Sequence, residues 1–155
     1  MEVVALIDTN VWVSALINPN GFPARVRDAW LEGHYTIVIS PPLIEELRVV
    51  LSRPRLRQRF AVSESKAEQL IALVIESART VSVEGHLRLC RDRRDDMVLE
   101  AAIAGKATHI VSRDEDLTRD VDLVRELEAR GIQVVTVNNF LVELAVDEAK
   151  DTEER

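Results

Sequence analysis

Ala5-Leu6-Ile7-Asp8-Thr9-Asn10 is the stretch that decides how the chain is read. An apolar run over residues 3–7 stops at Asp8, a polar triplet follows, and apolar residues resume at Val11, Trp12, Val13, Ala15 and Leu16. The pattern predicts a buried strand that ends on an acid and turns directly into a helix. In α/β chains, ligands collect outside the carboxyl ends of the strands, so an acid there is a candidate catalytic or metal-binding group. Further carboxylates in equivalent places would strengthen that reading.

Working outward, the same alternation recurs. The first helix should run to residue 17, and Asn18-Pro19-Asn20-Gly21 reads as a turn. A second helix is expected over 22–32, with Gly33 as its C-terminal cap. The β-branched run at 37–39 predicts a strand, and Ser40-Pro41 begins a helix reaching residue 52. The arginine-rich stretch 53–60 breaks it. Ser63 caps an amphipathic helix with Ala67, Leu70, Ile71, Val74, Ile75 and Ala78 on one stripe. A weakly patterned strand at 80–83 and a polar connection over 87–94 follow. The next helix opens at Asp95 or Asp96 and ends near Gly105. Strands at 109–112 and 134–137 flank a helix over 123–130 that Gly131 stops. One or two helical turns over 139–145 close the domain, and residues 147–155 form an acidic tail expected to fray.

Strands alternating with helices predict an α/β fold: one domain over residues 1–146, with a mostly parallel central sheet of about four to five strands and helices on both faces. Right-handed crossovers would bring Asp8, the Ser40 region and the segment from Ser112 to Asp116 to one edge.

The bulk properties limit the function classes. The chain has 155 residues, 46% hydrophobic and 30% charged, which suits one folded domain. A formal net charge of −7 argues against non-specific nucleic-acid binding through a basic face. It argues less if several acids share a cleft with a metal ion, whose charge is then what a phosphate meets. No apolar run is long enough to span a bilayer, and no signal peptide is recognisable. The single cysteine, Cys90, excludes an intrachain disulfide and suits a reducing cytoplasm, the expected location.

Several acids stand where a carboxylate is costly. Glu46 lies on or beside the inward stripe of Leu43, Ile44, Leu47, Val50 and Leu51, so it needs a metal, or an arginine at the stripe's rim. Asp95 and Asp96 open a helix, where capping and the helix dipole alone would explain them. Asp114 and Asp116 follow an apolar strand, where turn chemistry would do the same. No member is specific; their joint placement is. A cleft of converging carboxylates calls for a hard divalent cation, and oxygen-only ligands point to Mg²⁺ or Mn²⁺. His34, His86 and His109 are scattered without ligand spacing and read as structural or solvated.

With these residues in place, the sequence resembles the PIN-domain family, in particular the toxin components of type II toxin–antitoxin pairs, the VapC-like ribonucleases. The resemblance spans about residues 3–144. It rests on Leu6-Ile7-Asp8-Thr9-Asn10-Val11, on Glu46-Leu47 with Val50-Leu51-Ser52-Arg53-Pro54, on Asp95-Asp96-Met97-Val98-Leu99-Glu100-Ala101-Ala102, and on Ile110-Val111-Ser112-Arg113-Asp114-Glu115-Asp116-Leu117. Each piece is degenerate alone; four in this order and spacing are not.

The resemblance implies a domain whose carboxylates bind Mg²⁺ or Mn²⁺, as one or two ions, and cut RNA by phosphodiester hydrolysis. Carried over by position, the catalytic acids would be Asp8, Glu46, Asp96 and Asp114. Asp8, Asp96 and Asp114 would hold metal with Asp116 as an extra acid, and Glu46 would orient water or assist proton transfer. Asn10 and Ser112 fall on polar accessory positions, although threonine is more usual than Ser112, and Asp95 is the alternative to Asp96. Arg53, Arg55, Arg57 and Arg59, and Arg91, Arg93 and Arg94, are candidate contacts to the RNA backbone. An antitoxin protein and a second copy of the chain are the implied partners, and no membrane is. A non-catalytic RNA- or protein-binding module on the same fold is the alternative. A phosphotransfer domain built on Asp8 would favour a lysine after the late strand, whereas Lys106 precedes it.

Overall fold

Four consecutive buried residues, Val4–Ile7, form β1 at the middle of a parallel sheet. The computed structural model describes residues 2–153, and its elements follow in chain order. After β1 come α1 (Thr9–Ile17), α2 (Phe22–Leu31), β2 (Thr36–Ile39), α3 (Pro41–Leu51), α4 (Pro54–Arg59), α5 (Glu64–Ser77) and β3 (Arg79–Thr80). The second half supplies α6 (Arg93–Ala104), β4 (His109–Val111), α7 (Glu115–Thr118), α8 (Val121–Ala129), β5 (Gln133–Val135) and α9 (Val137–Glu153).

The five strands lie in the order β3-β2-β1-β4-β5, all parallel, with helices packed around the sheet. Strands buried on both faces account for the unbroken apolar runs of β1 and β2. Ala5 stands opposite Ile37 on one side and His109 on the other, and Ile7 opposite Val111. One step further, the register brings Ser40, Asp8 and Ser112 side by side at the carboxyl edge. The chain builds outward from β1 to β3, then crosses back to β4 on the other side of β1. That reversal is the topological switch point where ligands of such sheets bind.

Aromatic pairs fix the helices. Trp12 and Trp30 meet edge to face at 5.6 Å between ring centroids, so both tryptophans belong to the core. Phe140, fully buried, stacks edge-on to Tyr35 at 5.0 Å. At the end of α6, a Cβ on Gly105 would lie 2.9 Å from Val38 Cβ, so only glycine lets α6 close onto β2. Among the described residues no helix is long and apolar enough to cross a membrane.

The structure departs from the sequence expectation in five places, the first being that the strand expected over 80–83 is only the two-residue β3, Arg79–Thr80. The stretch read as a break contains the short helix α4. Helix α6 opens at Arg93, two or three residues early, because the Asp92 side chain accepts the Arg94 N–H and caps it. One helical turn, α7, follows β4 and is capped by Asp114. The tail expected to fray continues α9 as far as Glu153, while residues 154–155 lie outside the described residues. Phe140 and Leu144 bury one stripe of α9, and Glu148 reaches His34 Nδ1 at 2.6 Å, which extends its anchorage past residue 146.

Candidate active site

Asp8 leaves β1 and caps α1: its Oδ1 accepts the Thr9 N–H at 2.8 Å. Its Oδ2 accepts the Ser112 hydroxyl at 2.7 Å. The side chain is fully buried, so its charge needs a nearby counter-charge.

That counter-charge is Arg94. Its Nε donates to Glu46 Oε1 and one terminal nitrogen to Asp8 Oδ1, so a single guanidinium bridges two carboxylates. Thr9 Oγ1 donates to Glu46 Oε2 at 2.7 Å and fixes the second acid from the side of α1. The reading of Glu46 as a rim acid paired with an arginine therefore holds, and that arginine ties it to Asp8. Burial works against the charge of Arg94, but its bonds to Asp8 and Glu46 outweigh it and hold its pKa above the ordinary range.

Asp95, on the first turn of α6, lies beside this group, with its Oδ1 3.6 Å from Arg94 Nη1. That oxygen is buried without a hydrogen-bond partner. Burial pushes the Asp95 carboxyl up to about 6; the charges of Asp114, Asp92 and Asp8 add to the rise, and Arg94 opposes it. Asp114 is half-buried. Its Oδ1 accepts the Asp116 N–H at 2.9 Å, and its own N–H donates to Ser112 Oγ at 2.9 Å. Ser112 thus joins the Asp8 carboxylate to the Asp114 backbone. Asn10 Oδ1 accepts the Arg113 N–H at 3.2 Å and holds the same turn from α1.

Asp96 is turned elsewhere. Its Oδ1 accepts the N–H groups of Leu89 and Cys90, both at 2.8 Å, while its Oδ2 is buried and unpartnered. One turn later, Glu100 accepts the N–H groups of Glu84 and Gly85 at 3.0 and 2.8 Å. Two acids one turn apart on α6 therefore hold the 84–90 loop. The Cys90 thiol is pushed up to about 12 by burial first, then by the charge and hydrogen bond of Asp96. The position assigned on sequence to Asp96, beside Asp8 and Asp114, is held by Asp95. Two sequence signals favour Asp95: Asp92 as cap sets the phase of α6, and Asp95 then shares a stripe with buried Val98, Leu99 and Ala102.

A cavity of about 630 Å³ opens beside the cluster. Asp95 is on its wall, with Asp92, Glu115, Asp116 and Asp120, and the cations Arg91 and Arg119. Asp116 is exposed and lines the same space. Arg53, Arg55, Arg57 and Arg59 are exposed on and beside α4, and none is in an ion pair among the described residues; Arg59 lies over the Phe60 ring at 5.6 Å. Arg93 is exposed, whereas Arg94 is inside the acid cluster. The three histidines pair with Glu32 and Glu148 (His34), Glu84 (His86) and Glu143 (His109), all outside the cluster.

Among the described residues no three acid, histidine or cysteine side chains converge closely enough to hold an ion as they stand. Arg94 lies between Asp8, a candidate ligand, and Glu46. The donor chemistry suits a hard divalent cation: every donor is oxygen, and the buried Asp95 Oδ1 has no other partner. Arg94, Thr9 and Asp92 are the site residues that sequence reasoning missed in these roles. Arg94 was legible only as a basic residue, since nothing in a sequence shows which way so long a side chain turns.

Comparison with known proteins agrees with this architecture. An uncharacterized protein, MJ1680, of Methanocaldococcus jannaschii is 28% identical over 145 residues, covering 92% of each chain. The crystal structure of PAE2754 from Pyrobaculum aerophilum superposes with a TM-score of 0.60 at 17% identity, over 93% of this chain and 90% of that one. VapBC2 from Rickettsia felis, solved bound to a DNA fragment from its promoter, matches with a TM-score of 0.54 at 15% identity, over 86% of this chain and 98% of that one. At those identities the two structures establish a shared fold. The family model described as the PIN domain matches residues 4–116, most of the chain, with Asp8, Glu46, Asp95, Asp96, Asp114 and Asp116 inside the match, and the protein belongs to the PIN-domain family.

Proposed function

We propose that the protein is a Mg²⁺- or Mn²⁺-dependent endoribonuclease and the toxin of a toxin–antitoxin pair. PIN domains are in general nucleases that use divalent metal ions. The observation that carries the reading is Asp95 on the cavity wall beside the Arg94 that bridges Asp8 and Glu46, its buried Oδ1 unpartnered; the other orphan oxygen, Asp96 Oδ2, belongs to the side chain that holds the 84–90 loop. An orphan oxygen of this kind is expensive unless a ligand satisfies it.

Asp8, Asp95 and Asp114 would hold one or two divalent ions, which supply an activated water and charge stabilisation on the phosphate and the leaving oxygen. Ser112 holds Asp8 Oδ2 and so fixes the orientation of the carboxylate. Glu46, held by Thr9, is the group suited to take the proton of the attacking water. Asn10 keeps the turn bearing Asp114 against α1. Asp96 supports the loop instead of ligating, and Asp116 lines the approach. The exposed arginines of the α4 region and Arg91 and Arg93 would meet the RNA backbone, which offsets the acidic net charge locally.

The Rickettsia felis structure is of a VapBC2 complex, which supports an antitoxin partner for this chain. Homodimerisation is the accompanying proposal. The testing experiment incubates purified protein with single-stranded RNA, with and without Mg²⁺ or Mn²⁺, beside Asp8→Asn. Cleavage that needs the cation and disappears in the folded variant supports the reading; equal cleavage in chelator overturns it.

A further inference from the structure

We propose that Arg94 is a built-in counter-cation: it neutralises Asp8 and Glu46 when no metal is bound and gives up Asp8 Oδ1, whose acceptor capacity it fills together with the Thr9 N–H, when a divalent ion binds there. The inference rests on the cation-site reading above.

A carboxylate oxygen offers about two lone pairs. Asp8 Oδ1 already accepts from Thr9 N and from Arg94, and Oδ2 from the Ser112 hydroxyl. Glu46 Oε2 accepts from Thr9 Oγ1, and Oε1 from Arg94. The bonds to Thr9 and Ser112 come from groups fixed in the fold, at a helix start and a strand end. Only Arg94 is at the end of a long flexible side chain, and that side chain is 30% exposed. It is therefore the one partner able to leave toward solvent by side-chain rotation, without moving α6.

Charge points the same way. Ion and guanidinium cannot share one carboxylate oxygen at short range without repulsion. Asp95 shows the incompleteness of the arginine as a substitute. Arg94 Nη1 stops 3.6 Å from its Oδ1, beyond hydrogen-bond reach, and leaves that oxygen unpartnered. Arg94 serves two acids and leaves the third for a different cation. Electrostatic competition of this kind makes metal affinity a difference between two occupied states, not the filling of a vacant hole.

The test is Mn²⁺ binding to the full chain, measured by calorimetry or by the electron paramagnetic resonance of free Mn²⁺. Wild type is compared with Arg94→Gln, Arg94→Lys and Arg93→Gln. Arg93 is the exposed neighbour with the same charge, so it reports general electrostatics. Arg94→Gln should bind Mn²⁺ about 10- to 100-fold more tightly than Arg93→Gln. Its metal-free melting temperature should fall by several degrees and be restored by Mn²⁺. Arg94→Lys keeps the charge without the fork that bridges two acids and should lie between, which also covers a failure of the glutamine variant to fold. Equal or weaker Mn²⁺ binding by folded Arg94→Gln or Arg94→Lys overturns the inference and leaves the nuclease reading standing. Absence of Mn²⁺ binding at millimolar concentration in all four proteins overturns the cation-site reading itself.

Discussion

The Ser112 hydroxyl donates to Asp8 Oδ2 at 2.7 Å across the switch point, joining the ends of β1 and β4. It also accepts the Asp114 N–H, so one small side chain sets the spacing of two acids. Ser112→Ala should lower stability by about 1–2 kcal/mol, because it leaves a buried carboxylate oxygen and an N–H short of a partner. It should slow RNA cleavage about 10- to 100-fold with the acids intact. Ser112→Thr, which keeps the hydroxyl, should recover most of both. Denaturant melts and initial rates of the two variants check this.

Asp95 gives the pH dependence. Its carboxyl titrates at about 6 in the folded chain against an ordinary 3.8, so the native state holds the proton more tightly across that window. Its contribution favours folding below about pH 4 and is lost as pH rises through about 6. At pH 7 without metal, the charged group costs on the order of 1–3 kcal/mol. Asp95→Asn should therefore raise metal-free stability at pH 7 and flatten its pH dependence between about 4 and 6. The same variant should lose the stabilisation that Mn²⁺ gives wild type. A set of urea melts from pH 4 to pH 8, with and without Mn²⁺, reads both effects.

Asp96 and Cys90 form a separate unit. The thiol is pushed up to about 12 by burial and by the Asp96 carboxylate, so at pH 8 it is almost wholly protonated and slow to alkylate. Asp96→Asn keeps the acceptor for Leu89 and Cys90 while removing the charge. Alkylation of the folded variant by iodoacetamide should be several-fold faster than wild type. An unchanged rate would contradict the contact.

Part of the candidate site is legible in the sequence. Asp8 was visible because four apolar residues precede a charge, and Glu46 because it interrupts an inward stripe. Which of Asp95 and Asp96 turns toward Asp8 is not legible, because choosing between adjacent acids needs the helix phase, and the phase is set by Asp92, a polar residue in a polar stretch. Arg94 was missed at the centre because a flexible side chain carries no directional signal in sequence. The end of α9 was misread because its acidic surface hides a single buried stripe and the contact of Glu148 with His34. The short β3 and α7 fall below the length at which periodicity says anything.

The four exposed arginines at 53, 55, 57 and 59 are tested by salt. Replacing all four with alanine should weaken single-stranded RNA binding at 50 mM salt. It should also reduce the slope of log affinity against log salt by up to roughly 3. Filter binding of single-stranded RNA by Asp8→Asn protein with and without the four alanines, across a salt series, gives the slopes; identical slopes would remove these residues from the interface.

On the proposed function, Asp8, Glu46, Asp95 and Asp114 are the catalytic acids. The most direct measurement is the Mn²⁺-dependent RNA cleavage rate of Asp95→Asn beside Asp96→Asn, each checked for folding by circular dichroism. The geometry predicts a loss of at least about 100-fold for Asp95→Asn and less than about tenfold for Asp96→Asn. A folded Asp96→Asn that has lost cleavage while Asp95→Asn retains it would contradict the account.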